Sequence, residues 1–268
     1  MIVTVQGVDA YCYTGGKPFD AAKPTAMFIH GAQNDHSVWA LQTRYFAHHG
    51  FNVLAVNLPG HGRSKGAAMD SVERMAAWVI EVMDAVGVGK AILIGHSMGS
   101  LIALEASYLA PQRVSQLAML GTTYPMKVSD ALLDTSKNDE QAAIDMVNIF
   151  SHSSMAQKPS CPGPGFYVMG GARRLMQRMS QLNPAQLFHT DFFACNAYAN
   201  GQQAAEAVRC PVLFIFGAKD MMTPARSTKT LTTAIPHGKV VQVDAGHSLM
   251  AEQPDAVLEA LFGFASGR

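Results

Sequence analysis

Short, continuous runs of apolar residues recur along the chain and alternate with segments of helical spacing. The apolar runs are residues 26–29, 53–56, 91–94, 117–120, 212–216 and 239–243. Continuous rather than alternating runs are typical of strands that are buried on both faces of a parallel sheet. Helical spacing is found between these runs at residues 71–86, 101–110 and 224–234. The pattern predicts an α/β fold with a doubly wound, mostly parallel sheet, whose ligand sites lie beyond the carboxyl ends of the strands.

The interval between residues 120 and 211 is longer than a strand–helix–strand crossover requires, because such a crossover needs only one helix. Helical stretches are predicted within it near residues 139–150, 172–182 and 185–198. The sequence therefore predicts a core domain of residues 1–122 and 208–268 with a helical insertion at residues 123–207. A Cys-Pro-Gly-Pro-Gly segment at residues 161–165 is rich in turn formers and is predicted to form a bend between two helices of the insertion.

The pentapeptide Gly-His-Ser-Met-Gly at residues 95–99 lies between an apolar run and a helical segment. A strand that turns sharply into a helix through two glycines presents the central serine at the tip of the turn. Glycines two residues before and after the serine tolerate the close contacts of such a turn, because they have no Cβ. The arrangement predicts that Ser97 is an activated nucleophile at the tip of this turn.

Other reactive residues also follow the predicted strands. His30-Gly31-Ala32 follow residues 26–29, Asp220 comes soon after residues 212–216, and His247 comes soon after residues 239–243. In these features the chain resembles an α/β-hydrolase, with a Gly-x-Ser-x-Gly nucleophile elbow and the order serine, acid, histidine. The resemblance extends from about residue 24 to the carboxyl terminus, apart from a variable middle section, and includes segments 57–64 and 246–254. It implies the α/β-hydrolase fold, with the insertion as a helical cap over the active site.

The resemblance implies a catalytic triad of Ser97, His247 and Asp220. A serine hydroxyl is a poor nucleophile at neutral pH, so a histidine must accept its proton and a carboxylate must orient the imidazole. Asp244 is a competing acid only three residues before His247, but it is better interpreted as the end of a strand or a turn cap. Some α/β-hydrolases place the acid after the sixth strand, and the corresponding residues 121–124 contain no carboxylate. The sequence therefore favours Asp220.

The backbone amides of Ala32 and Met98 match the family's oxyanion positions, where donors must meet the charge that develops on the carbonyl oxygen. The predicted substrate-pocket residues are His30, Met221, Met222 and Met250. Core packing is an equal interpretation for the methionines. His96 is predicted to have a structural role. No His or Cys spacing resembles a set of metal ligands, so neither a metal nor another cofactor is predicted.

Composition restricts the choice of partner. The 20 basic and 20 acidic residues give a formal net charge of zero, which points away from nucleic acid and anionic membranes and towards a neutral or apolar small molecule.

The four cysteines are far apart in the sequence, which is typical of reduced thiols rather than of a disulfide-bonded protein. The chain has neither the pattern of a secretory signal nor an apolar stretch of the roughly 20 residues that span a bilayer, so a soluble, cytoplasmic protein is expected. Monomer and homodimer both stay open.

The function predicted from these features is that of a carboxylesterase-like serine hydrolase, which cleaves a carboxylic ester or related acyl bond of a small, largely apolar molecule through an acyl-enzyme. The same triad serves carbon–carbon bond hydrolases of ring-cleavage pathways, lactonases, amidases and cofactor-free perhydrolases, and these alternatives stay open. A haloalkane dehalogenase is disfavoured, because its nucleophile would be an aspartate. Outside enzymes, the alternative is a ligand receptor that has kept the triad.

Overall fold

The centre of the molecule is an eight-stranded sheet in the order β1-β2-β4-β3-β5-β6-β7-β8. The computed structural model describes residues 1–153 and 167–267. The strands are β1 (Ile2–Val5), β2 (Val8–Tyr13), β3 (Thr25–Ile29), β4 (Asn52–Val56), β5 (Ala91–His96), β6 (Val114–Leu120), β7 (Val212–Gly217) and β8 (Lys239–Val243). β1 pairs with β2, and β2 with β4, in antiparallel fashion, whereas all other pairs are parallel. The doubly wound, mostly parallel sheet predicted from the apolar runs is confirmed.

The sheet is covered on both faces, which explains why its central strands are continuously apolar. Every residue of β3, β4, β5 and β7 is buried. Along β3, Met27 and Ile29 belong to one hydrophobic cluster, whereas Ala26 and Phe28 belong to the cluster on the opposite face. Successive side chains of a strand point to opposite faces, so a strand between two clusters has no polar face.

The helices are α1 (Ala40–His48), α2 (Val72–Val86), α3 (Met98–Leu109), α4 (Asp130–Asn138), α5 (Glu140–Phe150), α6 (Val168–Leu182), α7 (Leu187–Ala197), α8 (Gly201–Ala207), α9 (Lys229–Ala234), α10 (Leu249–Glu252) and α11 (Pro254–Ala265). α2, α3 and α8 contribute to the cluster on one face of the sheet, and α1, α10 and α11 to that on the other. The helix predicted at residues 101–110 begins earlier, at Met98, and that at residues 224–234 is a short 3₁₀ turn followed by α9.

Helices α4 to α8 lie between β6 and β7, and we refer to these five helices with the segments that join them as the insertion. They include a hydrophobic cluster of their own, formed by Leu132, Ala143, Ile144, Met176, Phe188 and Phe192. The end of α7 and the helix α8 instead contribute to a cluster of the core, through Ala194, Cys195, Ala204 and Ala205. The predicted bend at residues 161–165 lies outside the described residues, and the insertion limits of 123–207 stay a prediction. No helix in the described part of the chain is both long and apolar enough to cross a membrane.

Candidate active site

Ser97 lies at a sharp turn between β5 and α3. Its backbone has φ 53° and ψ −122°, a conformation that is uncommon and costly for a residue with a side chain. Three hydrogen bonds hold this backbone. The Ser97 amide donates to the carbonyl oxygen of Leu120 on β6 at 2.9 Å. The Ser97 carbonyl oxygen accepts from the Ser100 amide at 2.9 Å and from the Ser100 hydroxyl at 2.5 Å. The turn therefore depends on both the adjacent strand and the following helix.

The glycines on either side of Ser97 are required by backbone contacts. A Cβ on Gly95 would lie 2.1 Å from the carbonyl oxygen of Gly99. A Cβ on Gly99 would lie 2.3 Å from the carbonyl oxygen of Ile29. Both distances are too short for any side chain, and the opposing atoms belong to the backbone, which cannot move aside cheaply. The Gly-x-Ser-x-Gly pattern thus has a steric cause at each end.

His247 and Asp220 form a buried hydrogen-bonded pair. The Nδ1 atom of His247 lies 2.8 Å from Oδ2 of Asp220. The other carboxylate oxygen, Oδ1, accepts from the amides of Met222 and Thr223, each at 2.8 Å. Burial alone would raise the pKa of Asp220, but the His247 ring and the hydrogen bonds from Thr223 outweigh this and hold the pKa well below its usual range. The ionised carboxylate accepts a hydrogen bond from Nδ1–H of His247, an arrangement that leaves the lone pair of the neutral imidazole on Nε2.

Asp244, the competing acid, points elsewhere. Its side chain is 65% exposed and forms an ion pair with Lys219, with an N–O distance of 2.6 Å. Asp220, in contrast, is only 5% exposed and contacts His247.

Ser97 and His247 both border a cavity of about 260 Å³, together with Ala32. Helices of the insertion form much of its wall. Their apolar side chains in this wall include Leu132, Met146, Val147, Phe150 and Phe192. Ser97 and His247 also border a second, smaller cavity of about 70 Å³. The arrangement brings a hydroxyl, an imidazole and an apolar binding space together at the carboxyl end of the sheet.

The two predicted oxyanion donors belong to different segments, one at the start of α3 and one in the loop after β3. Met98 is the first residue of α3, so its amide has no acceptor within the helix. Ala32 follows β3 and borders both cavities next to Ser97. The next residue, Gln33, has φ 56°, and its amide donates to Oδ2 of Asp191 on α7 at 2.7 Å. The loop that carries Ala32 is therefore held by a side chain of the insertion.

The family follows from a comparison with known proteins, in which the model for the α/β-hydrolase fold matches residues 24–254. The chain belongs to the α/β-hydrolase fold family. One relative is the (E)-2-((N-methylformamido)methylene)succinate hydrolase of Acinetobacter baylyi, which is 24% identical over 243 residues that cover 88% of each protein. Another is the pimeloyl-(acyl-carrier protein) methyl ester esterase of Nitrosomonas europaea, with 25% identity over 87% of this chain and 92% of the relative.

Solved structures agree on the fold of this α/β-hydrolase. The enol-lactonase of Burkholderia xenovorans superposes with a TM-score of 0.85 at 20% sequence identity, covering 99% of this chain and all of that one. At this identity the likeness concerns the fold alone. With hydrolases among its relatives, the chain is an enzyme of the serine hydrolase type, as the sequence predicted.

A buried ion pair joins the insertion of the hydrolase to its core. Nε2 of His61, in the loop after β4, lies 2.9 Å from Oδ2 of Asp191 on α7, and both side chains are only 1% exposed. Burial alone would lower the pKa of His61, but the charge and hydrogen bond of Asp191 outweigh this and raise it above its usual value. The same carboxylate oxygen accepts from Gln33, so Asp191 connects the loops after β3 and β4.

Two of the four predicted pocket residues border the cavity of the hydrolase that contains Ser97, namely Met221 and Met222. Met250 instead borders a separate cavity of about 420 Å³, between α1, α6 and α10. His30 borders none of these cavities, because its ring is fully buried: Nδ1 donates to the carbonyl oxygen of Gly31 at 2.8 Å, and Nε2 accepts from the amide of Leu58 at 3.1 Å. The prediction of a pocket around Ser97 that includes His30 and Met250 is corrected accordingly.

The His96 ring stabilises the segment that carries His247. Its Nε2 atom donates to the backbone carbonyl oxygen of His247 at 2.9 Å. Burial, together with the nearby His247, lowers the pKa of His96 to about 3, so the ring is neutral at physiological pH. Within residues 1–153 and 167–267, no group of three or more His, Cys, Asp or Glu side chains is arranged to hold a metal ion.

Thr223 and Asp191 support the site of the hydrolase but were not among the residues predicted from the sequence. Thr223 had a local signal, since a threonine three residues after an aspartate is typical of a turn in which the carboxylate accepts backbone and hydroxyl hydrogens. Its hydroxyl donates to Oδ2 of Asp220 at 2.7 Å. Asp191 had no such signal, because its partners lie 130 and 158 positions away in the sequence.

Proposed function

We propose that the protein is a serine esterase that hydrolyses carboxylic esters of small, largely apolar molecules through an acyl-enzyme. The observation that carries this proposal is the buried hydrogen bond between Asp220 and His247, beside the elbow that presents Ser97 to the same cavity. Ester hydrolysis is also the reaction named for the Nitrosomonas relative. A small-molecule ester is the proposed partner, and the cytoplasmic location predicted from the sequence is kept as part of this proposal.

The proposed reaction begins when the Ser97 hydroxyl attacks the carbonyl carbon of the ester while Nε2 of His247 accepts its proton. The carbonyl oxygen becomes an oxyanion, to which the amides of Ala32 and Met98 donate. The carbon–alkoxy oxygen bond then breaks, and protonated His247 gives its proton to the departing alcohol. Water repeats the sequence on the acyl-enzyme and releases the acid. Asp220 stays ionised throughout and stabilises the imidazolium.

The test compares Ser97→Ala with Ser107→Ala. Ser107 is a buried serine of the following helix α3, and its hydroxyl donates to the Leu104 carbonyl oxygen. The first variant should lose turnover of p-nitrophenyl butyrate by at least about 10⁴-fold and should no longer react with a fluorophosphonate probe. The control variant should keep both activities. Undiminished turnover by Ser97→Ala would refute the mechanism.

A second measurement identifies the type of bond that the enzyme cleaves, because the same triad also serves lactonases, amidases and carbon–carbon bond hydrolases. A panel of esters, lactones, amides and vinylogous diketones should give the highest kcat/KM for an ester. The contrary outcome is a higher kcat/KM for a lactone or a diketone than for any ester while Ser97 still reacts with the probe. That result would contradict the proposed ester specificity and would support Ser97 as the nucleophile.

A further inference from the structure

Two polar side chains of the insertion border the small cavity beside Ser97, and each has one buried atom without a hydrogen-bond partner among the described residues. Asn148 on α5 and His152 just after it both border this cavity of about 70 Å³. They are only 7% and 9% exposed, respectively. Among the described residues, neither Oδ1 of Asn148 nor Nε2 of His152 has a hydrogen-bond partner. Buried polar atoms without partners are rare and costly, so these two call for a physical cause.

The chemistry of the two atoms limits what they can bind. Nδ1 of His152 lies 2.7 Å from the backbone carbonyl oxygen of Asn148, which can only accept, so Nδ1 carries the proton and Nε2 the lone pair. Burial lowers the pKa of His152, which favours this neutral form. The Asn148 side chain offers an acceptor oxygen and, after a rotation of its amide group, a donor. Both groups are uncharged.

We propose that Asn148 and His152 bind a hydroxyl group of the substrate, so that the preferred esters carry a hydroxyl close to the scissile carbonyl group. This inference rests on the proposed esterase function and adds a substrate class to it. A hydroxyl both donates and accepts, which matches a histidine lone pair beside an amide. A cation is a poorer match, because neutral acceptors do not repay the cost of removing its water.

The sizes of the two cavities fit such a substrate. Water occupies about 30 Å³ in the liquid, so a cavity of about 70 Å³ accommodates a group the size of a hydroxymethyl. The larger cavity, of about 260 Å³ and with a mostly apolar wall, takes the rest of the molecule. Ala32, Ser97 and His247 border both cavities, which places the scissile bond between the hydroxyl and the apolar group.

The experiment measures kcat/KM with paired esters, using pH-stat titration. The first set is methyl butanoate with its 2-hydroxy and 3-hydroxy derivatives, and the second is propyl butanoate with 2-hydroxyethyl butanoate. The wild-type enzyme should prefer at least one hydroxy ester over its parent by about tenfold. His152→Phe and Asn148→Leu should each abolish most of that preference, whereas His152→Gln, which retains an acceptor, should keep part of it.

His189→Phe is the matched control, because His189 is a histidine of the insertion that contacts Ser136 at 3.0 Å and borders neither cavity. It should keep the wild-type preference. The ratio of kcat/KM for a hydroxy ester to that for its parent ester is compared between variants, because the intrinsic effect of the hydroxyl on ester reactivity is the same for all of them. Thermal unfolding shows which variants are folded.

Two results would overturn the inference: no preference in the wild-type enzyme, or the same preference in His152→Phe and Asn148→Leu as in the wild type. Either would mean that the small cavity holds only water. A failure of the esterase function looks different, because the wild-type enzyme would then not hydrolyse the parent esters, whether or not Ser97 reacts with a fluorophosphonate.

Discussion

Four hydrogen bonds converge on the carboxylate of Asp220, and His247 supplies only one of them. The others come from the amides of Met222 and Thr223 and from the Thr223 hydroxyl. Hydrogen bonds to the ionised form stabilise it and restrict its rotation. The acid is thus oriented by the loop in which it lies, before any contact with the histidine is considered.

Replacing Asp220 with asparagine should lower kcat for p-nitrophenyl butyrate by about 10⁴-fold, because an amide neither fixes the Nδ1–H tautomer of His247 nor stabilises the imidazolium. Asp244→Asn is the control, since that exposed carboxylate pairs with Lys219, and its kcat should stay within about twofold of the wild type. Steady-state kinetics at neutral pH distinguishes the two variants. The opposite pattern would make Asp244 the catalytic acid.

The sequence allowed prediction of those site residues whose surroundings are local. Ser97 stood out because the glycines at positions 95 and 99 are dictated by contacts within a few residues or with the adjacent strand. His30 was misplaced in the pocket because the direction of its ring is set by the amide of Leu58, which lies 28 residues further along the chain. Side-chain direction after a strand depends on such tertiary partners, and the order of residues does not reveal them.

At the level of elements, the buried pair of His61 and Asp191 attaches α7 of the insertion to a loop of the core. The strands and most helices of the core could be predicted from the sequence. A continuous apolar run, or apolar residues with a period of 3.6, shows that a segment is buried, whichever elements bury it. It could not predict this attachment, since one buried histidine and one buried aspartate give no pattern. The insertion is therefore the part of the fold whose placement the sequence describes least.

The His61–Asp191 pair should stabilise the protein most at low pH. The folded-state pKa of His61 is raised, so its contribution is fully present below the usual histidine pKa of about 6.5 and is lost as pH rises through the raised value. His61→Gln should therefore be less stable than the wild type by about 3 kcal/mol or more on the acidic side of that value, and this difference should shrink at higher pH. Urea unfolding at a series of pH values measures it.

Asp145→Asn is the control for this prediction, because its exposed ion pair with Arg173 connects two helices within the insertion. Exposed pairs contribute about 1 kcal/mol or less, so this variant should differ little from the wild type. A stability difference for His61→Gln that did not change with pH would contradict a charged pair.

On the scale of the molecule, the described residues form three hydrophobic clusters: one on each face of the sheet and one within the insertion. The cavity that contains Ser97 lies where the insertion meets the carboxyl end of the sheet. Its wall is mostly apolar, so binding there should depend on the apolar area that a substrate buries.

Lengthening the acyl chain of a p-nitrophenyl ester should raise kcat/KM by about fourfold per methylene, which corresponds to about 0.8 kcal/mol of burial, until the cavity is full. Beyond that length kcat/KM should fall, because the cavity of about 260 Å³ is bounded by helices. A series from acetate to decanoate measures the maximum. A rate independent of chain length would mean that the acyl group lies outside this cavity.

The hydrogen bond from Gln33 to Asp191 has a consequence for the evolution and redesign of this enzyme. Under the proposed mechanism, a residue of the insertion holds the loop that supplies an oxyanion donor. The insertion then determines the rate as well as the choice of substrate, even for esters that never touch it. An insertion grafted from another hydrolase would therefore change specificity without loss of turnover only if it also brought a carboxylate to this position.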